Sequence, residues 1–243
     1  MHHKARIVLP ELLDHLPPDS PAAHHSRRDL QRIHFAMGTL STLSRALSGL
    51  RLSTPPRRIL ELGAGDGTLL LRLARTFAAH WPDVEVTLLD QHDLLSDETR
   101  HAYRALGWRA TVVKADVLDW IREPCKLHFD LCVATLFLHH FTDSDLSEIL
   151  AAVAVRTDVF IACEPRRDAW AWFGSRLVGL LGSSQVTRAD AKSSVAAGFS
   201  GDELTRSWPN RPGRWWVQES PVFPFTHRFV AQAFTTDSAM AGS

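Results

Sequence analysis

The chain has 243 residues, in which 27 lysines and arginines balance 27 aspartates and glutamates. This length suffices for one large α/β domain with an added cap. The balanced charge argues against nucleic acid or an anionic membrane as a partner. Because no apolar run approaches the roughly 18 residues of a membrane helix and the start lacks a signal-peptide core, we expect a soluble, cytoplasmic protein.

The three cysteines, Cys125, Cys132 and Cys163, form no Cys-x-x-Cys pair. Two of them lie in apolar runs, which favours reduced core residues. Among 13 histidines, residues 2–3, 24–25 and 139–140 are adjacent pairs without an accompanying His-Glu-x-x-His motif or cysteine cluster. Adjacent histidines on a helix point in different directions, so we expect no metal site.

The first 55 residues favour helices and are predicted to form a cap over a larger domain. Val8–Leu16 is a short apolar segment that Pro17 and Pro18 end. Ser26 is placed to cap a longer helix that begins at Arg27. Apolar positions then recur at helical spacing and predict one buried stripe, formed by Leu30, Ile33, His34, Met37, Leu40, Leu43 and Leu47.

From residue 56 onward, short β-rich runs alternate with helical segments, which is typical of a parallel sheet with crossover helices. The predicted strands are Arg58–Leu62, Val84–Leu89, Ala110–Val113, Leu131–Ala134 and Val159–Ala162. The predicted helices are Thr68–His80, Asp97–Leu106, Ser144–Val155, Asp168–Leu181 and Gly201–Ser207. Trp215–Gln218 and Phe225–Ala231 predict a closing antiparallel hairpin, and residues 168–199 a helical lid insertion.

The most informative run is Glu61-Leu62-Gly63-Ala64-Gly65-Asp66-Gly67, where a strand enters a glycine-rich turn before a helix. Glycines allow a tight turn and let a ligand approach the backbone. Asp90 ends the next strand, and its two oxygens can accept both hydroxyls of a ribose. The alternative is that Asp90 merely caps a helix at the strand end.

Between Arg57 and Ala162 the ordered motifs resemble the class I methyltransferases that use S-adenosylmethionine (SAM). The resemblance implies a Rossmann-like α/β fold, with a seven-stranded, mostly parallel sheet and helices on both faces. It implies SAM as cofactor, S-adenosylhomocysteine as product and no metal, with residues 56–243 as the SAM-binding domain. The cofactor-binding residues expected from it are Glu61, Gly63, Ala64, Gly65, Gly67, Asp90, Gln91, Asp116, Val117, Ala134, Thr135 and Arg32. Asp116 would accept a hydrogen bond from the adenine amino group, although an aspartate there is also a common turn former.

Three histidines are candidates for a catalytic base. His139 and His140 follow the fourth predicted strand, at the edge of the sheet where ligands bind in open α/β folds. An imidazole near neutral pKa can take a proton from an attacking hydroxyl. His34 faces the same region if the N-terminal cap covers it. Packing of at least one of these rings beneath the following helix is the alternative.

A narrower resemblance involves Glu164-Pro165-Arg166-Arg167, Thr187–Ala191 and Ser194–Phe199. These segments are similar to bacterial methyltransferases of ubiquinone and menaquinone biosynthesis, including those associated with type III polyketide synthases. His34 departs from that pattern, which has asparagine there. The resemblance implies a small phenolic, quinone-like or polyketide acceptor, O-methylation before C- or N-methylation, and a monomer or homodimer.

Two other functions stay open at this point. One is a SAM-binding partner subunit without catalysis, since binding does not prove turnover. The other is a nicotinamide-dependent oxidoreductase, which Thr68 disfavours because the dinucleotide fingerprint needs glycine at that position.

Overall fold

The computed structural model describes residues 5–13, 16–17, 20–50, 52–124, 127–177, 183–209 and 213–234, without the side chains of residues 23, 24 and 177. These residues form a seven-stranded sheet in the order β3-β2-β1-β4-β5-β7-β6. The strands are β1 Arg58–Leu62, β2 Glu85–Asp90, β3 Arg109–Lys114, β4 Phe129–Thr135, β5 Thr157–Pro165, β6 Trp215–Val222 and β7 Thr226–Ala233. β1 to β5 are parallel, β7 is antiparallel to β5, and β6 is antiparallel to β7. The predicted mostly parallel sheet with a closing hairpin is confirmed.

Helices cover both faces of the sheet. They are α1 Pro21–Ala36, α2 Thr39–Gly49, α3 Thr68–Phe77, α4 Asp97–Ala105, α5 Val117–Arg122, α6 Asp143–Arg156, α7 Ala169–Leu177, α8 Gln185–Ala197 and α9 Glu203–Ser207. Alternate strand residues point to opposite faces, so Leu60 joins the apolar cluster with α5, α6 and α9, while Ile59 joins the cluster with α2, α3 and α4. The described helices include none that is both long and apolar enough to cross a membrane.

The prediction for the N-terminal region is wrong in three respects. Helix α1 begins at Pro21, where proline is tolerated in the first turn, so Ser26 lies inside the helix and does not cap it. The predicted single helix is broken at Gly38, whose φ of 65° is left-handed. The described part of Val8–Leu16 contains no α-helix. Pro18 lies outside the described residues.

Two helices were missed by the sequence patterns. The polar stretch before Phe199 forms α8, which Ser184 caps by accepting a hydrogen bond from the Thr187 amide at 3.1 Å. Asp116 caps the short helix α5 in the same way. The predicted helix Asp168–Leu181 is present as α7, and its last residues lie outside the described part of the chain.

The cysteine predictions concern three positions. Cys132 and Cys163 are free thiols in the core, as expected. Cys125 lies outside the described residues.

Candidate active site

A cavity of about 740 Å³ lies at the carboxyl ends of the parallel strands. One end, the glycine end, is lined by Glu61, the loop from Gly63 to Asp66, and Asp90 and Gln91. The other end, the histidine end, is lined by Glu11, His34, His139 and His140 among others. This is the edge at which open α/β sheets bind their ligands.

Left-handed glycines shape the loop at the glycine end. Gly63, Gly65 and Gly67 have φ values of 65°, 55° and 68°. A Cβ on Gly63 would lie 2.2 Å from the ring of Phe137, so the close approach requires glycine. The Ala64 amide donates to the Leu89 carbonyl at 3.1 Å, and the buried Tyr103 hydroxyl donates to the Gly67 carbonyl at 2.8 Å. The loop is therefore held in place against β2 and α4.

Asp90 joins this loop to the end of β2. One carboxylate oxygen accepts from the Gly65 amide and the other from the His92 amide, each at 2.9 Å. Each carboxylate oxygen can accept a second hydrogen bond, and the side chain lines the cavity. Asp90 is thus both a loop anchor and an available acceptor.

Asp116 and Gln91 bond to each other beside the glycine end. Asp116 accepts from the Leu118 amide as the cap of α5, and its second oxygen accepts from the Gln91 side-chain amide at 2.7 Å. Gln91 and Val117 line the cavity, whereas Asp116 does not. The carboxylate of Asp116 therefore holds the residues that face the cavity.

Glu61 is a buried acid at the glycine end, with 2 % of its surface exposed. Burial raises its pKa well above the usual value, and the nearby charges of Asp66 and Asp90 raise it further. Its Oε2 atom is buried and has no hydrogen-bond partner within the described residues. A cationic group in the cavity would satisfy that oxygen and relieve the repulsion.

The remaining predicted cofactor residues divide into two groups. Thr135 lines the cavity, while Ala134, one position earlier in β4, is fully buried in the core. Arg32 does not line the cavity, because its exposed guanidinium pairs with Asp29 at 2.9 Å. Gln31 lines the cavity instead and donates to Asp66 at 2.8 Å.

At the histidine end, His139 is held between two carboxylates. Its Nδ1 lies 2.8 Å from Glu164 and its Nε2 lies 3.3 Å from Glu11, and only 2 % of the residue is exposed. Burial lowers the pKa of His139, but the hydrogen bonds to Glu11 and Glu164 outweigh burial and raise it to about 9. His139 is therefore an imidazolium near neutral pH.

His140 and His34 have different surroundings. The Nε2 of His140 lies 3.5 Å from the second oxygen of Glu11, and 28 % of its side chain is exposed. His34 is partly buried, and this loss of solvent lowers its pKa to about 4, while its Nδ1 lies 3.3 Å from the Thr39 hydroxyl. His34 is therefore neutral near pH 7 and a weak base, whereas His140 keeps an accessible ring on the cavity wall.

Two acids at this end were not predicted as site residues. Glu164 lies one residue before the end of β5 and accepts from the amides of Phe137 and Leu138 at 3.1 and 3.0 Å, besides holding His139. Its position at a strand end is the same signal that indicated Asp90. Glu11 lies in the N-terminal segment, and the sequence carries no local sign that it contacts residues 139 and 140.

Glu11, His139 and His140 also have side-chain atoms within 4.8 Å of one another, close enough to ligate one ion. In the described structure these atoms already face each other as carboxylate and imidazole.

Comparison with known proteins identifies the fold that carries this site. Residues 59–156 match the family described as a methyltransferase domain. The chain has the class I methyltransferase fold. A search of curated protein sequences gives no match.

Three solved structures illustrate the likeness. An O-methyltransferase family protein from Burkholderia thailandensis has a TM-score of 0.55 and 16 % identity, over 90 % of this chain and 63 % of that one. The plantazolicin methyltransferase BpumL, in complex with S-adenosylhomocysteine, has a TM-score of 0.57 and 14 % identity, over 88 % of this chain and 92 % of that one. Magnesium protoporphyrin IX methyltransferase from Synechocystis PCC 6803, also with bound S-adenosylhomocysteine, has a TM-score of 0.50 and 14 % identity, over 91 % of each chain. The chain spans about three fifths of the length of the Burkholderia protein, of a putative O-methyltransferase from Nostoc punctiforme and of the pyocyanin biosynthetic protein PhzM.

Proposed function

We propose that the chain transfers the methyl group of SAM to a small, flat, largely apolar acceptor, most favourably to a hydroxyl oxygen. The observation that carries this proposal is one continuous cavity with a glycine loop and carboxylates at one end and a histidine pair at the other. The match of residues 59–156 to a methyltransferase domain supports it.

The residues of the glycine end fit SAM. The cofactor carries positive charge on its sulfonium and ammonium groups, and the partnerless buried oxygen of Glu61 lies in a cluster with Asp66 and Asp90. Glu61 and the Gly63–Gly65 backbone would hold the methionyl part, and Asp90 would accept from the ribose hydroxyls. Gln91 and Val117 would border the adenine, with Asp116 fixing Gln91. When bound, the cofactor supplies a methyl group already activated by the sulfonium.

The walls of the histidine end favour an apolar acceptor. They come from helices α1, α7 and α8, from the turns that follow α1 and β4, and from the turn between β6 and β7, and are formed largely by Ile33, Met37, Phe141, Ala171, Val195 and Phe225. Such apolar walls with a few polar groups suit a flat ring system that carries one hydroxyl. Cover by these helices would exclude water and hold the acceptor in line with the methyl group.

Of the three predicted histidines, His140 is the best candidate for the proton acceptor. His139 already carries its proton near neutral pH, and the pKa of His34 is too low for an effective base. In the proposed step the acceptor oxygen forms a bond to the methyl carbon as the carbon–sulfur bond breaks. The hydroxyl proton passes to the His140 imidazole, which lines the cavity.

The first test is calorimetric titration with S-adenosylhomocysteine, comparing the native chain with Asp90→Ala. We expect the variant to lose about 1–3 kcal/mol of binding free energy, because it removes a charged hydrogen-bond acceptor. Asp93→Ala, a nearby acid on the same loop with an exposed side chain, is the matched control and should bind normally.

Absence of binding to the native chain would overturn the proposal. If the chain binds S-adenosylhomocysteine, the acceptor atom is identified with a panel of acceptors supplied together with SAM. The panel contains phenols, amines and compounds with a nucleophilic carbon atom. Binding without transfer to any acceptor would contradict the catalytic part and support a non-catalytic SAM-binding subunit.

A further inference from the structure

The N-terminal segment 5–13, here called the strap, runs across the histidine end. Arg6 anchors it: the guanidinium donates to Asp143 at 2.8 Å and to the carbonyls of Phe141 and Ala197 at 3.1 and 2.9 Å. It also lies 4.2 Å from the centre of the Phe199 ring. The Arg6 side chain is 5 % exposed despite its charge, so the strap is packed onto the domain at this residue.

The other end of the strap is tied to α8. The amides of Leu12 and Leu13 donate to the two carboxylate oxygens of Asp190, at 2.8 and 3.1 Å. Ser194, one helical turn further along α8, donates to Glu11. Glu11 is thereby held with 8 % of its surface exposed, on the wall of the cavity.

Glu11 contacts both histidines, 128 residues away from His139 in the sequence. His139 is independently fixed by Glu164 through its other nitrogen and through the backbone amides that Glu164 binds. His140 is held by less: the edge of its ring packs against the His139 ring, with the ring centres 4.3 Å apart, and within the described residues Glu11 is the carboxylate that its Nε2 faces. The orientation of His140 therefore depends on the strap.

We infer that Glu11 is a positioning residue for methyl transfer, which the strap supplies to orient the His140 ring and to complete the acceptor end of the cavity. This inference rests on the proposed function. A carboxylate bonded to an imidazole holds the ring in one orientation and stabilises the imidazolium that forms when the ring takes a proton. With Glu11 3.5 Å from His140, the proton taken from the acceptor would be stabilised on the ring and released to solvent after the product leaves.

The test compares Glu11→Gln, Glu11→Asp and the native chain. Glu11→Gln keeps the size and removes the charge, so we expect kcat to fall about 100-fold, with a smaller rise in the KM of the acceptor. The affinity for S-adenosylhomocysteine should stay within about twofold, because Glu11 lies at the other end of the cavity. Glu11→Asp keeps the charge and should recover part of the lost kcat.

Asp158→Asn is the matched control. It removes the carboxylate of another carboxylate–histidine pair, formed by Asp158 at the start of β5 and His128 just before β4, with Nε2 of His128 2.9 Å from Asp158 and both side chains exposed. This variant should retain kcat and KM. A fall in kcat in Asp158→Asn equal to that in Glu11→Gln would overturn the inference, since it would reflect general loss of fold.

A second measurement does not depend on turnover. In nitrogen-detected spectra of the histidine rings, Glu11→Gln should shift the signals of His139 and His140 and leave that of His128 unchanged. If the native chain methylates no acceptor, the proposed function fails, while these spectra still report whether Glu11 holds the rings. Unchanged His140 signals, or unchanged kcat and KM in an active Glu11→Gln enzyme, would overturn the positioning role.

Discussion

The glycine end and the histidine end of the cavity are built by different means. The glycine end is formed by neighbouring stretches of backbone, residues 61–68 and 90–91, whose turns are fixed by left-handed glycines and backbone hydrogen bonds. The histidine end is formed by side chains from the strap, the turn after β4, the end of β5 and helix α8. Substitutions in the glycine loop should therefore act chiefly through sterics, and substitutions at the histidine end chiefly through charge.

The largest expected effect is at the glycine end. Gly63→Ala should destabilise the chain by about 2–5 kcal/mol, of which the left-handed backbone contributes about 1–2 and the collision of the new Cβ with the Phe137 ring contributes the rest. Urea unfolding measures this loss. Gly65→Ala is the matched control: its φ is also positive, but no atom lies within 4 Å of the new Cβ. Equal losses in the two variants would show that contact with Phe137 has no part in shaping the loop.

The next largest effect concerns the charge of Glu61 at the glycine end, where one substitution should raise the free energy of unfolding and weaken cofactor binding. The raised pKa of Glu61 means that the folded chain binds a proton which the unfolded chain releases above about pH 4.5. Stability contributed by Glu61 therefore falls as pH rises above that value. Glu61→Gln removes the titration, so we expect a higher free energy of unfolding at pH 7.5 than in the native chain.

The same variant should bind S-adenosylhomocysteine about 1–3 kcal/mol more weakly, because it removes the carboxylate that would meet the ammonium group. Calorimetry and urea unfolding on one preparation give both quantities. Glu98→Gln, at an exposed position in α4, should change neither. Unaltered affinity in Glu61→Gln would remove Glu61 from the cofactor site.

The same contrast explains which parts of the fold and the site could be predicted from the sequence alone. The strands, the glycine loop and Asp90 were predictable, because each depends on consecutive residues whose apolar or glycine pattern has a direct structural meaning. The break at Gly38 interrupts an otherwise helical stripe and requires the left-handed conformation that the apolar spacing does not reveal. Helix α8 is polar, and it is stabilised by its Ser184 cap and by its contacts with the strap and α7.

The histidine end illustrates the limit most clearly. The adjacent pair His139 and His140 was visible, but the protonation of His139 depends on Glu11 and Glu164, which lie far away in the sequence. Periodicity and local motifs carry no information on such long-range pairs. The sequence therefore indicated where the histidines lie in the fold and not which of them is free to accept a proton.

The smallest expected effect is a pH dependence of stability at the histidine end. The groups that face His139 are Glu11, Glu164 and His140. Because the pKa of His139 rises from about 6.5 to about 9 on folding, its stabilising contribution is complete below about pH 6.5 and is lost as pH increases to about 9. Over that interval the loss is at most about 1.4 kcal/mol per pH unit for one proton.

In Glu11→Gln one of the two carboxylates that retain the proton on His139 is gone, so the free energy of unfolding should change less between pH 7 and pH 9 than in the native chain. Other titrating groups contribute equally to both proteins, so the difference between the two slopes isolates the contribution of Glu11. Equal slopes would mean that Glu164 alone keeps His139 protonated, and the charge at this end of the cavity would then be independent of the strap.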